Sequence, residues 1–115
     1  MSLYEQGDFI EVNFDPTVGH EPQKRRPALV VSCGDFNNKL SSLTIVCPIT
    51  SNGANRHPLH IELPEDAPVT GFVCIEQLRA IDLNSARRQA ISLDASADRE
   101  TMAHVLEVIG AIFNI

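Results

Sequence analysis

The apolar pattern of this chain changes period once, near its end, and that change constrains the fold more than any other feature. Met102, Val105, Leu106, Ile109, Ile112 and Phe113 recur three and four residues apart. That is the stripe of an amphipathic helix, and it predicts a helix end that packs as far as Ile115. Asp94, Ser96 and Asp98 precede the stripe as caps or first-turn acids. Before it, apolar runs are short and separated by turn residues. Asp8–Phe14 alternates polar and apolar with Phe9 out of step, as a half-buried strand would. Ala28–Ser32, Leu43–Ile49, His60–Leu63, Gly71–Ile75, Arg79–Asp82 and Ala90–Leu93 read as further short strands, and Pro48 suggests an edge, a strand end or a bulge. Short strands followed by one helix predict a mainly β, α+β fold: a small, strongly bent antiparallel sheet or barrel with a C-terminal helix packed on it.

Two stretches have no period. Asp15–Arg25 holds two prolines and a glycine, and Ser51–Pro58 is polar. Loops near eleven residues long in a small domain are often functional. With 115 residues and no visible linker, the chain is expected to form one domain, residues 1–115. The longest uncharged stretch, Leu40–Asn55, contains Ser41, Ser42, Pro48, Ser51, Asn52 and Asn55, so no membrane span is expected. The first residues lack a basic and an apolar region, so the expected address is the cytoplasm. Cys33, Cys47 and Cys74 are odd in number and form no C-x-x-C pair, which argues against a disulfide framework. Cys47 and Cys74 sit in apolar runs and read as buried thiols.

The net charge of −6 argues against a general polyanion binder, but the charge is uneven. Residues 1–21 carry −5, residues 22–60 carry +4, and residues 61–115 carry −5. The central block, with Lys24, Arg25, Arg26, Lys39 and Arg56, is either a local anion site or a solvated surface.

Four constellations could carry chemistry. The first is His20 and Glu21 with Lys24, Arg25 and Arg26. Pro27 biases Arg26 toward extended backbone, so its guanidinium starts from a strand edge and could grip a phosphate or carboxylate with both nitrogens. The second is Thr50 with Ser51, hydroxyls at a strand end opening into a polar loop that includes Asn52. The third is Glu76, Gln77 and Arg79, directly after a buried strand. The fourth pairs His57 with His60; Pro58 works against the helix that would bring them together, no cysteine is near in sequence, and no metal site is expected. Nucleotide-binding and zinc-peptidase motifs are missing from the sequence. Each constellation by itself also reads as ordinary surface.

As an ordered set they are more specific. Gly7–Glu21, then Arg26-Pro27-Ala28-Leu29-Val30-Val31-Ser32, Phe36-Asn37, Pro48-Ile49-Thr50-Ser51, Gly71-Phe72-Val73 and Gln77–Asp82 resemble the MazF/PemK (Kid) toxins of type II toxin–antitoxin systems. The resemblance implies an SH3-like barrel of the CcdB/MazF type with a terminal helix, working as a homodimer. It implies a metal-independent endoribonuclease without a cofactor. Such an enzyme cuts single-stranded RNA at selected sequences through 2′-OH attack, leaving 2′,3′-cyclic phosphate and 5′-OH ends. It also implies a MazE/PemI-like antitoxin partner. By matching position, Arg26 and Thr50 carry over as catalytic residues, supported by His20 and Glu76. Lys24, Arg25, Ser51, Asn52, Arg56, Phe72, Gln77 and Arg79 form the expected RNA-binding set. Phe36 and Phe72 are the aromatic platforms near it. Where the PemK branch carries Arg-x-Asp, this chain reads Cys74-Ile75-Glu76, without the arginine and with an acid one methylene longer. Two other readings fit the same scaffold: a CcdB-like gyrase poison, whose C-terminus Phe113-Asn114-Ile115 partly echoes, and a degenerate toxin kept as a binding module.

Overall fold

The computed structural model describes residues 4–14, 25–40, 42–51 and 58–115. The strands are β1 (Asp8–Asn13), β2 (Arg25–Val30), β3 (Thr44–Thr50), β4 (His60–Glu62), β5 (Phe72–Cys74), β6 (Arg79–Ile81) and β7 (Ile91–Ser96); one helix, α1 (Arg99–Ile112), follows. All pair antiparallel, in the order β4-β5-β3-β2-β1-β7, with β6 also on β3. The expected β-rich fold with a terminal helix is therefore present.

β1 is not half-buried as its alternation suggests. Phe9 and Ile10 are both fully buried because they point to opposite faces and both faces are covered. Phe9 joins Leu29, Cys47, Ile49, Val73 and Val105 in one core, whereas Ile10 and Val12 join Ala28, Val30, Val46, Ile81 and Leu83 in a second. The ladder to β7 shifts between Phe9 and Ile10, whose partners are Ala95 and Ser92. Asp94, at φ +53°, lies within that irregularity, and its N–H is held by the Ser92 hydroxyl.

Pro48 does not mark an edge. It lies inside β3, opposite Ala28. On its other side, β3 changes partner from β6, ending at Val46–Arg79, to β5, beginning at Ile49–Val73. A residue without an N–H sits at this changeover at little cost. Six steps from Val73 to Arg79 oppose only three on β3, because the 3-10 turn Ile75–Gln77 is inserted there. That insertion lifts Glu76 and Gln77 out of the strand.

α1 begins where Asp98 accepts a hydrogen bond from the Thr101 N–H at 2.7 Å, a side-chain N-cap. Val105 is fully buried in the first core, with Met102, Val108 and Ile109 packed against it. Burying such a side chain contributes about 1.5–3 kcal/mol. The rest of the expected stripe departs from the prediction. Leu106, Ile112 and Phe113 are exposed, and Ile115 is 96% exposed, because the sheet covers a narrower face than the stripe spans. No helix among the described residues is long and apolar enough to cross a membrane.

Candidate active site

The site is assembled by sheet register. The β2–β3 ladder ends where Ala28 stands opposite Pro48; Arg26 and Thr50 lie two residues beyond on their strands and line one cleft. Thr50 pairs with Phe72, and Cys74 pairs with His60. Opposed residues in a ladder share a face. Arg26, Thr50, Phe72, Cys74 and His60 therefore line one face across β2, β3, β5 and β4. Arg26 is exposed, and Thr50 is partly so. A cleft of about 200 Å³ is bounded by Arg26, Pro27, Ile49, Thr50, Ser51 and Thr70.

Glu76 reaches over this face from the inserted turn. Its Oε2 lies 2.9 Å from His60 Nε2, with side chains 23% and 10% exposed. Gln77 is exposed, and its amide approaches the same carboxylate oxygen at 3.5 Å. Burial pushes the Cys74 thiol up, and Glu76 adds to the shift; a hydrogen bond from the Thr50 backbone and the Arg26 guanidinium pull it back. Burial also pushes Cys47 up, to about 12, with Cys74 and Glu76 contributing. Arg26, Thr50 and Glu76 thus each lie within electrostatic reach of Cys74.

Other sequence-predicted residues are placed differently. Arg25 follows the pleat to the opposite face, where it pairs with Glu11 at 3.5 Å, so it does not join the cleft. Phe72 is 8% exposed and tilted against His60, with ring centres 6.4 Å apart; packing removes it as an open stacking surface. Arg79 pairs with Val46, four residues along β3 from Thr50, or roughly 13 Å at strand rise. Its guanidinium lies over the Phe14 ring at 5.4 Å. Asn37 is buried and donates to the carbonyls of Tyr4 and Ser32, a structural task. His20, Lys24, Asn52 and Arg56 lie outside the described residues.

The sequence gives His60 no role, because its visible neighbour there is His57 and the strand opposite it is not legible. The alternation of His60-Ile61-Glu62-Leu63 marks which face His60 occupies, but pairing alone brings Cys74 and Glu76 to it.

A family model for PemK-like, MazF-like toxins of type II toxin–antitoxin systems matches residues 5–113. The chain belongs to this family. It is 39% identical over 98 residues to the endoribonuclease toxin ChpB of Escherichia coli K12, covering 82% of this chain and 83% of that one. It is 32% identical over 98 residues to the endoribonuclease EndoA of Bacillus subtilis, covering 80% and 82%. Among solved structures, MazF from Deinococcus radiodurans superposes over 100% of both chains with a TM-score of 0.80 and 32% identity. In the MazE–MazF crystal structure from the same organism, the matching chain shares 29% identity at a TM-score of 0.77. Membership accounts for the ordered motifs.

Proposed function

We propose that this chain is the toxin of a type II toxin–antitoxin system, a sequence-selective endoribonuclease acting on single-stranded RNA. The observation that carries the site assignment is the cleft that Arg26 and Thr50 line together, beside the Thr50–Phe72 pair and the Glu76–His60 contact. The relatives named as endoribonucleases support the activity.

In this reading the RNA supplies its own nucleophile. Proton loss from the 2′-OH lets O2′ attack the neighbouring phosphorus; the bond to the 5′-oxygen breaks, and that oxygen takes up a proton. The products are a 2′,3′-cyclic phosphate and a 5′-hydroxyl. His20 and Glu76 serve the two proton transfers. Arg26 and the Thr50 hydroxyl hold the phosphate oxygens as charge builds on them, where a fixed guanidinium acts most strongly. Lys24, Ser51, Asn52, Arg56 and Gln77 are assigned to binding the RNA strand. An acidic protein can do this because single-strand binding needs a basic groove and not a basic total. The working unit is a homodimer of one-domain chains in the cytoplasm, restrained by a MazE/PemI-like antitoxin.

The test is incubation with a long RNA in EDTA, with product ends mapped. Cyclic-phosphate and 5′-OH ends are expected, and one 2′-deoxy substitution at the cut site should abolish cleavage there. The exposed Phe113 and Ile115 favour a second reading, a CcdB-like gyrase poison. Gyrase-dependent DNA breakage with no RNA cleavage would establish that reading instead; neither activity would leave a binding module.

A further inference from the structure

His60, Cys74 and Glu76 each offer one metal-ligating atom, and the three atoms lie within 4.8 Å of one another. They come from three separate places: β4, β5 and the turn that follows it. The His60 nitrogen and the Glu76 oxygen are already 2.9 Å apart. A tetrahedral zinc ion, with bonds near 2.0–2.3 Å, needs donors about 3.3–3.6 Å apart. Rotation of the partly exposed Glu76 side chain and a small inward shift at Cys74 would meet that requirement. We propose that these three side chains form a site for one zinc-class divalent cation, and that filling it switches the protein off.

The donor set selects the ion. A thiolate with an imidazole and a carboxylate suits zinc or cobalt and disfavours magnesium and calcium, which prefer all-oxygen shells. Thiolate and carboxylate together balance the charge of the ion, and Cys74 releases its proton on binding. Burial and Glu76 raise the cost of that step, and the Thr50 backbone and the Arg26 guanidinium offset part of it. Three protein ligands leave one position for water. The inhibitory consequence rests on the ribonuclease reading, because the ion takes the carboxylate lone pairs that Glu76 would use for proton transfer. The binding site itself does not depend on that reading.

The test uses the full-length protein and two readouts. Cobalt(II), a spectroscopic stand-in for zinc, should give a thiolate-to-cobalt charge-transfer band saturating at one ion per chain. Cys74→Ser should abolish the band, and His60→Ala should weaken zinc binding at least 100-fold in competition with a chromogenic chelator. Cys33→Ser, at the exposed cysteine, should change neither. Absence of the band in the wild-type protein, or its survival in Cys74→Ser, overturns the site. In the second readout, equimolar zinc should stop RNA cleavage and EDTA should restore it, while Cys74→Ser should keep its own zinc-free rate when zinc is added. Zinc binding that leaves wild-type cleavage unchanged overturns the switch. If no RNA is cleaved under any condition, the cobalt band still decides the site and the ribonuclease reading fails separately.

Discussion

Gly71 packs its bare Cα against the carbonyl of Thr50. Its φ is +133°, and a Cβ built there would overlap the Thr50 carbonyl oxygen and press on Ile49. The Gly71 carbonyl also accepts from the Leu63 N–H at 2.9 Å. One glycine therefore sets the distance between the start of β5 and the end of β3, where Thr50 enters the site.

Gly71→Ala adds a side chain where neither the backbone nor the neighbouring strand has room. It should cost about 2–4 kcal/mol and displace Thr50, so activity should fall as well. Urea denaturation checks the first effect; an unchanged midpoint would show that β5 can shift without penalty.

Arg26→Ala should leave folding intact, because the side chain is exposed. Losing a charge contact made in the transition state costs about 3–4 kcal/mol, or roughly 10²–10³ in rate. Thr50→Val removes only the hydroxyl and should cost about 1.5–3 kcal/mol, the range for hydrogen bonds to charged groups. Arg25→Ala should matter much less, since its partner is Glu11 on the other face. Single-turnover cleavage rates will rank the three, and Arg25→Ala proving the most damaging would contradict the assignment.

Asp98 caps α1, and its hydrogen bonds to Thr101 hold its carboxyl below the usual carboxylate range. A folded-state pKa below the unfolded one stabilises the protein above the unfolded value, and the gain is lost as pH falls through the folded value. Asp98→Ala should therefore lower the melting temperature at pH 7. The gap from wild type should narrow in acid. A gap independent of pH would mean that the ionised cap is not responsible.

Antitoxin inhibition should be competitive with RNA and should weaken as salt rises. The family resemblance implies an acidic antitoxin tail, which the basic block at residues 22–60 would attract, and exposed charge pairs are screened by salt. Charge reversal at Lys24 or Arg56 should reduce inhibition. Titrating the purified complex with a fluorescent RNA checks this: RNA bound with unchanged affinity in the inhibited complex would place the antitoxin elsewhere.

The sequence by itself determined the classes of element and the ordered motifs. The change of apolar period located α1, Asp94, Ser96 and Asp98 bracketed its start, and the run from Gly7 to Asp82 carried the family. These features are local or nearly so, because a cap, a helical stripe and a proline before a strand act within a few residues. Tertiary structure alone decided which faces are buried and which side chains meet. Phe9 read as out of step because β1 is covered on both sides, and the helix stripe overran the sheet that covers it. Arg25 and Arg26 both entered the expected site as neighbours in one basic run, yet the pleat sends them to opposite faces. His60 and Cys74 lie fourteen residues apart and look unrelated until β4 pairs with β5. Register is a long-range property: it is settled by how the two cores fill, and no single strand encodes it.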